Sequence, residues 1–312
     1  MKIVLLESLG IAEKELDQFA QKLKAEGHEF CAYEKNTDED VQIERAKDAD
    51  VIMIANMPLS GKVIRSCPSL KYIDVAFTGV DHVAMDYCRE RGILVSNCAG
   101  YSNTAVPELV FGMELSLYRS IVACNQAVRE GKDKTGLIGL ELEGKKFGII
   151  GMGAIGTRTA QLAAAFGCQV YGYNRSPKSP DGVIMTDMET LLKECDIVSL
   201  HVPLTEQTKG LIGEEQLRLM KPGAVLINTA RGPVVDSNAL AAALEEGRLA
   251  GAAGDVFETE PPVSPEHPLL QAPNLLATPH VAFATKEALY KRAVIVFENI
   301  SGYLEGRPQN VM

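Results

Sequence analysis

Short apolar runs alternate with amphipathic stretches along the whole chain, and that rhythm predicts the fold class. From Lys2 to Asn97 the runs KIVLLE, FCAY, VIMIAN, YIDVAF and ILVSN each fit a short strand, and the stretches between them carry helical spacing. Strands without a polar face belong in a parallel sheet covered by helices on both sides. A long helical segment follows from about Thr104 to Gly131, with Pro107 tolerated in its first turn. KKFGII, QVYGYN, DIVSLHV, AVLINTA, AGDVF and LLATPH then repeat the alternation, with helices predicted from Ala154 to Phe166, Glu214 to Met220 and Asn238 to Gly247. These six strands complete a second doubly wound sheet. The proline-rich stretch from Glu258 to Asn274 has no periodicity, which at that length predicts a functional loop. The closing amphipathic segment, Thr285 to Gly306, is helical and no strand follows it. It is therefore expected to cross back onto the first domain, leaving a two-stranded hinge near Asn97 and Thr285. The expected organisation is one discontinuous domain of residues 1–98 and 286–312, and a second of residues 99–285.

At 312 residues the chain is long enough for two cores. A net charge of −10 argues against nucleic-acid or anionic-membrane surfaces, so an anionic substrate must be attracted locally. No apolar run approaches the ~20 residues of a membrane span, and the N-terminus starts directly on a strand without a signal-peptide pattern. A cytoplasmic protein is expected. The seven cysteines are odd in number and form no C-x-x-C pair, and most sit in apolar segments. They read as reduced core residues, not disulfides, zinc ligands or nucleophiles, and no metal site is expected.

The densest signal lies between Lys145 and Lys178. A buried strand leads into Gly151, Gly153 and Gly156 in G-x-G-x-x-G spacing, then into an Ala-rich helix and a second strand from Gln169 to Asn174. The first glycine allows the turn, the second lets a pyrophosphate approach, and the third packs helix on strand. The helix N-terminus supplies unpaired N–H groups and partial positive charge for the phosphates. An acidic residue normally ends the second strand and binds the adenosine ribose, but this chain has Asn174, then Arg175, Ser176 and Lys178. The cofactor is therefore NAD(H) or NADP(H), with NADP(H) favoured because Arg175 and Lys178 can pair with a 2′-phosphate. The alternative has Arg175 lying over the adenine ring and Lys178 as a solvated loop charge.

Three residues follow strands of the second domain: Arg231 after AVLINTA, Glu260 after AGDVF and His280 at the end of LLATPH. All three are expected to face one cleft. Transfer of a hydride to a carbonyl carbon needs a proton partner at the oxygen, and histidine has the unperturbed pKa for it. Glu260 beside His280 would stabilise imidazolium, and Arg231 offers a fork for a carboxylate. Singly, each has a plainer reading: a capped core histidine, a solvated acid, a surface cation. In the first domain the loops Asn56 to Leu59 and Thr78 to His82 follow strands and are the expected substrate-facing loops. His201 and His82 stand at strand ends near the cleft, whereas His28 and His267 read as surface loop residues.

The runs GIIGMGAIG, HVPLTEQTKGLIG, MKPGAVLINTARGPVVD, GDVFETEPP and TPHVAFAT, with GVDHV and GYSNTAVPE earlier, resemble the signatures of the D-isomer-specific 2-hydroxyacid dehydrogenase family over essentially the whole chain. The resemblance implies an α/β protein of two doubly wound parallel-sheet domains. A Rossmann cofactor domain is inserted in a discontinuous flavodoxin-like substrate domain, and the assembly is a homodimer. It implies Arg231, Glu260 and His280 as the catalytic set. It also implies cofactor contacts at Ala154, Ile155, His201, Val202, Pro203, Thr208, Thr229, Ala230, Asp255 and Thr104, with Asp255 placing the nicotinamide carboxamide. The substrate carboxylate would be held by Arg231 and the amides of Gly79 and Val80, and Asn56 would line a compact pocket. Asn174 departs from the family's acidic residue, and Pro107 stands where VAE-type members have alanine, a structural variation. Glu260 counts against the formate dehydrogenase branch, where glutamine stands. The implied activity is reduction of a small 2-keto acid such as glyoxylate, hydroxypyruvate or pyruvate. The alternative is a dinucleotide-sensing interaction protein on the same fold with vestigial catalysis.

Overall fold

The computed structural model describes residues 1–178, 180–259 and 262–312. The chain divides into two compact units, Met1–Ser102 with Ala284–Met312, and Asn103–Phe283.

The first unit carries β1 (Lys2–Leu5), β2 (Glu29–Ala32), β3 (Val51–Ile54), β4 (Tyr72–Val75) and β5 (Leu94–Ser96), all parallel in the order β2-β1-β3-β4-β5. Val51 pairs Ile3 on one side and Tyr72 on the other. Every residue of β3 and β4 is buried, as expected of strands covered on both faces. The helix Lys286–Leu304 belongs to this unit. Thr285 caps it by accepting from the Ala288 amide at 3.1 Å, and it buries Ala293, Val296, Phe297 and Ile300. Phe297 stacks on Phe19 and Tyr303 on Tyr72, at ring separations of 4.6 and 4.2 Å.

The second unit carries β6 (Lys146–Ile150), β7 (Gln169–Tyr173), β8 (Val183–Met185), β9 (Ile197–Leu200), β10 (Val225–Asn228), β11 (Gly251–Gly254) and β12 (Leu275–Ala277). All pair in parallel in the order β12-β11-β10-β9-β6-β7-β8. Successive side chains of a strand face opposite sides, so Val198 and Leu200 join a core with Leu192, Leu226 and Leu240. Ile197 joins a second core with Phe111, Phe147 and Ile149.

Three expectations are corrected in this unit. Its sheet has seven strands, not six, because the half-exposed edge strand β8 follows the proline-rich turn and is too short to register as a run. The long helix from Thr104 to Gly131 is two helices, Ala105–Tyr118 and Ile121–Arg129, broken where Ser120 turns left-handed at φ 49°. The Tyr118 carbonyl at the break accepts instead from the Leu140 amide at 2.8 Å. The aperiodic loop also contains a short helix, Pro268–Gln271, capped by His267. Among the described residues no helix is long and apolar enough to cross a membrane.

Candidate active site

The strand order of the second unit reverses between β6 and β9, and the glycine turn leaves β6 at that switch point, where open α/β sheets bind ligands. Gly151 has φ 102°, and a Cβ there would lie 2.5 Å from the His201 carbonyl oxygen, so only glycine fits between β6 and β9. A Cβ on Gly156 would lie 2.1 Å from the Gly151 oxygen, which brings the helix Ala154–Ala165 hard against the turn. At Gly153 nothing lies within 4 Å of such a Cβ. The open space faces the start of a helix that has no side-chain cap, and the first amides there, Ala154 and Ile155 included, lack intrahelical partners. A close turn, an open second glycine and an uncapped N-terminus fit a dinucleotide pyrophosphate.

At the end of β7, Asn174 Oδ1 accepts from the Met152 amide at 3.0 Å and its Nδ2 donates to the Ser176 carbonyl at 2.8 Å. The side chain thus ties the glycine turn to the adjoining loop. Arg175 donates to Gln207 Oε1 at 2.8 Å, and Lys178 Nζ to the Met152 carbonyl at 2.6 Å. Among the described residues neither cation pairs with a carboxylate. Beyond β9, His201 Nε2 lies 2.9 Å from Ser199 Oγ, and burial pushes the imidazole down to about 4, so the ring is neutral at physiological pH. Val202 packs on the core, and the Thr208 hydroxyl accepts from the Thr205 amide and donates to the Pro203 carbonyl at 2.6 Å, closing that loop on itself. Thr104 stands at the N-cap of Ala105–Tyr118 and makes no capping bond.

β10, β11 and β12 are neighbours, and their carboxyl ends bring Thr229 to Arg231, Asp255 and His280 to one edge of the sheet. Asn228, which no sequence pattern singled out, straps the first of these turns. Its Oδ1 accepts from the Ala230 amide at 3.1 Å, and its Nδ2 donates to the Arg231 carbonyl at 2.9 Å. Arg231 is half-buried, with Nη1 donating to the Ala230 carbonyl at 2.7 Å. Thr229 Oγ1 is buried with no hydrogen-bond partner among the described residues, a polar atom left for a ligand.

Asp255 is fully buried and builds the turn that carries His280. Its Oδ1 accepts from Thr278 Oγ1 and from the Val281 amide at 2.9 Å, its Oδ2 accepts from the Ala282 amide at 2.8 Å, and its main-chain oxygen accepts from the His280 amide at 2.8 Å. Burial raises its carboxyl above the ordinary range, against the pull of these donors. His280 itself has φ 56°, a left-handed conformation uncommon for a side chain of this size, and its ring meets Phe283 edge-on at 5.6 Å. Glu260 lies outside the described residues. His267, expected on the surface, is instead largely buried: Nε2 lies 2.9 Å from Glu258 Oε2, and Nδ1 accepts from the Leu269 amide at 3.3 Å.

In the first unit Asn56 follows β3 at that sheet's own switch point between β1 and β3. The buried Glu7, another residue without a sequence signature, fixes it: Oε1 accepts from the Ala55 and Met57 amides at 2.8 and 2.7 Å. Gly79 and Val80 lie in the loop after β4. Among the described residues neither of their amides donates to a protein acceptor.

A family model described as D-isomer specific 2-hydroxyacid dehydrogenase, NAD binding domain, matches residues 111–282. Glycerate dehydrogenase of Methylorubrum extorquens is 40% identical, over 91% of this chain and 92% of that protein. Glyoxylate reductase of Thermofilum pendens is 39% identical, over 89% of this chain and 85% of that one. Among solved structures, an acyclic imino acid reductase, Bsp5, in complex with NADPH and D-Arg superposes with a TM-score of 0.92 at 30% identity, over 100% of both chains.

Proposed function

Because the chain belongs to the D-isomer-specific 2-hydroxyacid dehydrogenase family and interconverts a 2-keto acid and its D-2-hydroxy acid with a nicotinamide dinucleotide, we propose that His280 and Arg231 carry that chemistry. The bound nicotinamide supplies or accepts the hydride. His280 donates the proton to the carbonyl oxygen during reduction and recovers it in the reverse direction. The observation that carries this reading is the His280 turn. A left-handed non-glycine residue costs on the order of 1–3 kcal/mol, and such strain persists only where the surroundings enforce it. Here Asp255 enforces it through the Val281 and Ala282 amides. Glu260 is proposed as the acid that stabilises the imidazolium. Arg231, held by the Asn228 strap, is proposed to present its fork to the substrate carboxylate. In the first unit the Gly79 and Val80 amides are proposed as carboxylate ligands. Asn56 is proposed to line the space for the rest of a small substrate.

The glycine turn, Thr104, the loop His201 to Thr208, Thr229, Ala230 and Asp255 are proposed to hold the dinucleotide. NADP(H) is proposed as the favoured form, because Asn174 adds no negative charge and, among the described residues, Arg175 and Lys178 have neutral partners only. That the similar Bsp5 imino acid reductase binds NADPH supports this reading. A homodimer is proposed because the helix Ile121–Arg129 has no buried residue, while Val122, Val128 and Ile138 are 61%, 76% and 88% exposed. Light scattering that gives the monomer mass would contradict it. A cytoplasmic location is supported by seven free thiols. The dinucleotide-sensing alternative is not favoured, since the named relatives are enzymes.

A panel of glyoxylate, hydroxypyruvate and pyruvate with NADH and with NADPH tests the assignment. Reduction of at least one acid to its D-2-hydroxy product, fastest with NADPH, is expected. No turnover of any acid with either cofactor would overturn it.

A further inference from the structure

The loop after β4 is gripped from within its own unit. The Phe77 carbonyl accepts from the Cys98 amide at 2.9 Å, and the next carbonyl, of Thr78, accepts from Asn97 Nδ2 at 2.8 Å. A peptide unit is planar and trans, so the Thr78 carbonyl and the Gly79 N–H point in opposite directions within one rigid plane. Drawing that oxygen to Asn97 therefore turns the Gly79 amide away from Asn97. Among the described residues the amides of Thr78, Gly79 and Val80 all lack protein acceptors.

Asn97 is tied at every polar atom. Its N–H donates to the Asn310 carbonyl at 3.0 Å, its carbonyl accepts from Asn299 Nδ2 at 2.9 Å, and its Oδ1 accepts from the Ala99 amide at 3.3 Å. Asn299 is fully buried in the closing helix. Its Oδ1 accepts from Asn310 Nδ2 at 2.8 Å, and its Nδ2 also donates to Asp74 Oδ1 at 3.0 Å. Asp74 interrupts the otherwise apolar strand YIDV at 0% exposure, with its second oxygen unpartnered among the described residues. Burial pushes its carboxyl well above the usual range, against the pull of the Asn299 donor. An apolar residue of similar size fills such a place at lower cost, so the acid calls for a reason beyond packing.

We propose that Asp74, Asn299 and Asn97 form a positioning relay: Asp74 orients the Asn299 carboxamide, Asn299 fixes Asn97, and Asn97 sets the Thr78 to Val80 amides for the substrate carboxylate. The relay rests on the reading of Gly79 and Val80 given above, and its members touch neither substrate nor cofactor.

The test uses Asn97→Asp, Asn299→Leu and Asp74→Asn. Asn97→Asp is isosteric and keeps the acceptor for Ala99 while removing the donor to Thr78. Asp74→Asn keeps the acceptor for Asn299. Steady-state kinetics are measured with the preferred 2-keto acid of the panel and with its carboxamide, which lacks the charge, alongside dinucleotide titration. Misplacing a binding group by ~1 Å costs up to ~100-fold, so KM for the acid should rise about tenfold in Asn97→Asp and Asn299→Leu. Turnover number, dinucleotide affinity and kcat/KM for the carboxamide should stay within about threefold of wild type, and Asp74→Asn should match wild type throughout. A loss confined to the protein's fold would instead lower all of these together and overturn the relay. If wild type prefers the acid and both variants keep that preference with unchanged KM, the relay is wrong and the carboxylate site stands. If wild type reduces the carboxamide as well as the acid, the carboxylate reading fails first. Asn97→Asp alone decides should Asn299→Leu not fold.

Discussion

Gly232 follows Arg231 directly, and replacing it with alanine tests how closely the position of Arg231 is controlled. A Cβ at that residue would stand 2.0 Å from the Phe257 carbonyl carbon, 2.1 Å from its oxygen and 2.5 Å from the Glu258 nitrogen. All three are backbone atoms, so no side chain can swing aside. Relief to the 3.4 Å of ordinary contact requires the two turns to part by about 1.4 Å. Misplacement of ~1 Å at a binding group costs on the order of 100-fold, about 2.7 kcal/mol in transition-state binding. We therefore expect Gly232→Ala to lower kcat/KM for the 2-keto acid by about two orders of magnitude. Dinucleotide affinity, followed through the fluorescence of the reduced nicotinamide, should fall by less than kcat/KM does, because the glycine turn leaves a different strand and, of the proposed cofactor contacts, only Thr229, Ala230 and Asp255 lie near the displaced turns. A variant with kcat/KM within about threefold of wild type would show that Arg231 does not depend on this approach, or does not hold the substrate.

The remaining predictions address charge. Both carboxylate oxygens of Glu114 are buried without partners among the described residues, and burial pushes the group up to about 8 from an ordinary 4.5. Between those values the folded form holds a proton that the unfolded form has released, so stability falls as pH rises, by about 1.4 kcal/mol per unit. Thermal melts from pH 5 to 8 should therefore flatten in Glu114→Gln, and parallel pH dependences for wild type and variant would refute this. Arg231→Lys should not restore activity, because a point charge cannot replace a planar fork, and a loss in kcat/KM under about threefold contradicts that role. Asn174→Asp keeps the acceptor for Met152 but places a charge beside the proposed 2′-phosphate site. It should shift preference toward NADH by about tenfold, and wild-type protein that binds NADH tenfold more tightly than NADPH would remove that site.

The fold class was legible because parallel strands buried on both faces leave uninterrupted apolar runs, as VIMI and VLIN do. The glycine spacing was legible because each glycine answers a different steric demand, and the structure makes two of those demands visible at Gly151 and Gly156. What stayed hidden is of another kind. The break at Ser120 depends on a left-handed residue and on a contact with the distant Leu140, neither of which leaves a periodic trace. His267 looked like a loop residue because its partners, Glu258 and the start of a four-residue helix, are fixed only by folding. Glu7 and Asn97 act by holding backbone groups of other loops, so nothing in their local sequence announces them, whereas Asn228 straps the turn it begins and stands at the end of an apolar run that gives it no separate pattern. The strain at His280 was equally invisible, since a left-handed histidine has no pattern in the chain.

The central claim is that His280 supplies the proton for reduction of a 2-keto acid, and single-turnover reduction by His280→Asn tests it most directly. The variant is mixed with saturating NADPH and the preferred acid, with dinucleotide binding measured in the same preparation. General acid catalysis contributes ~10²–10⁴-fold, so the rate should fall by about 100-fold or more while NADPH binds as it does to wild type. A rate within about threefold of wild type, with the cofactor bound, would take His280 out of the mechanism and the account with it.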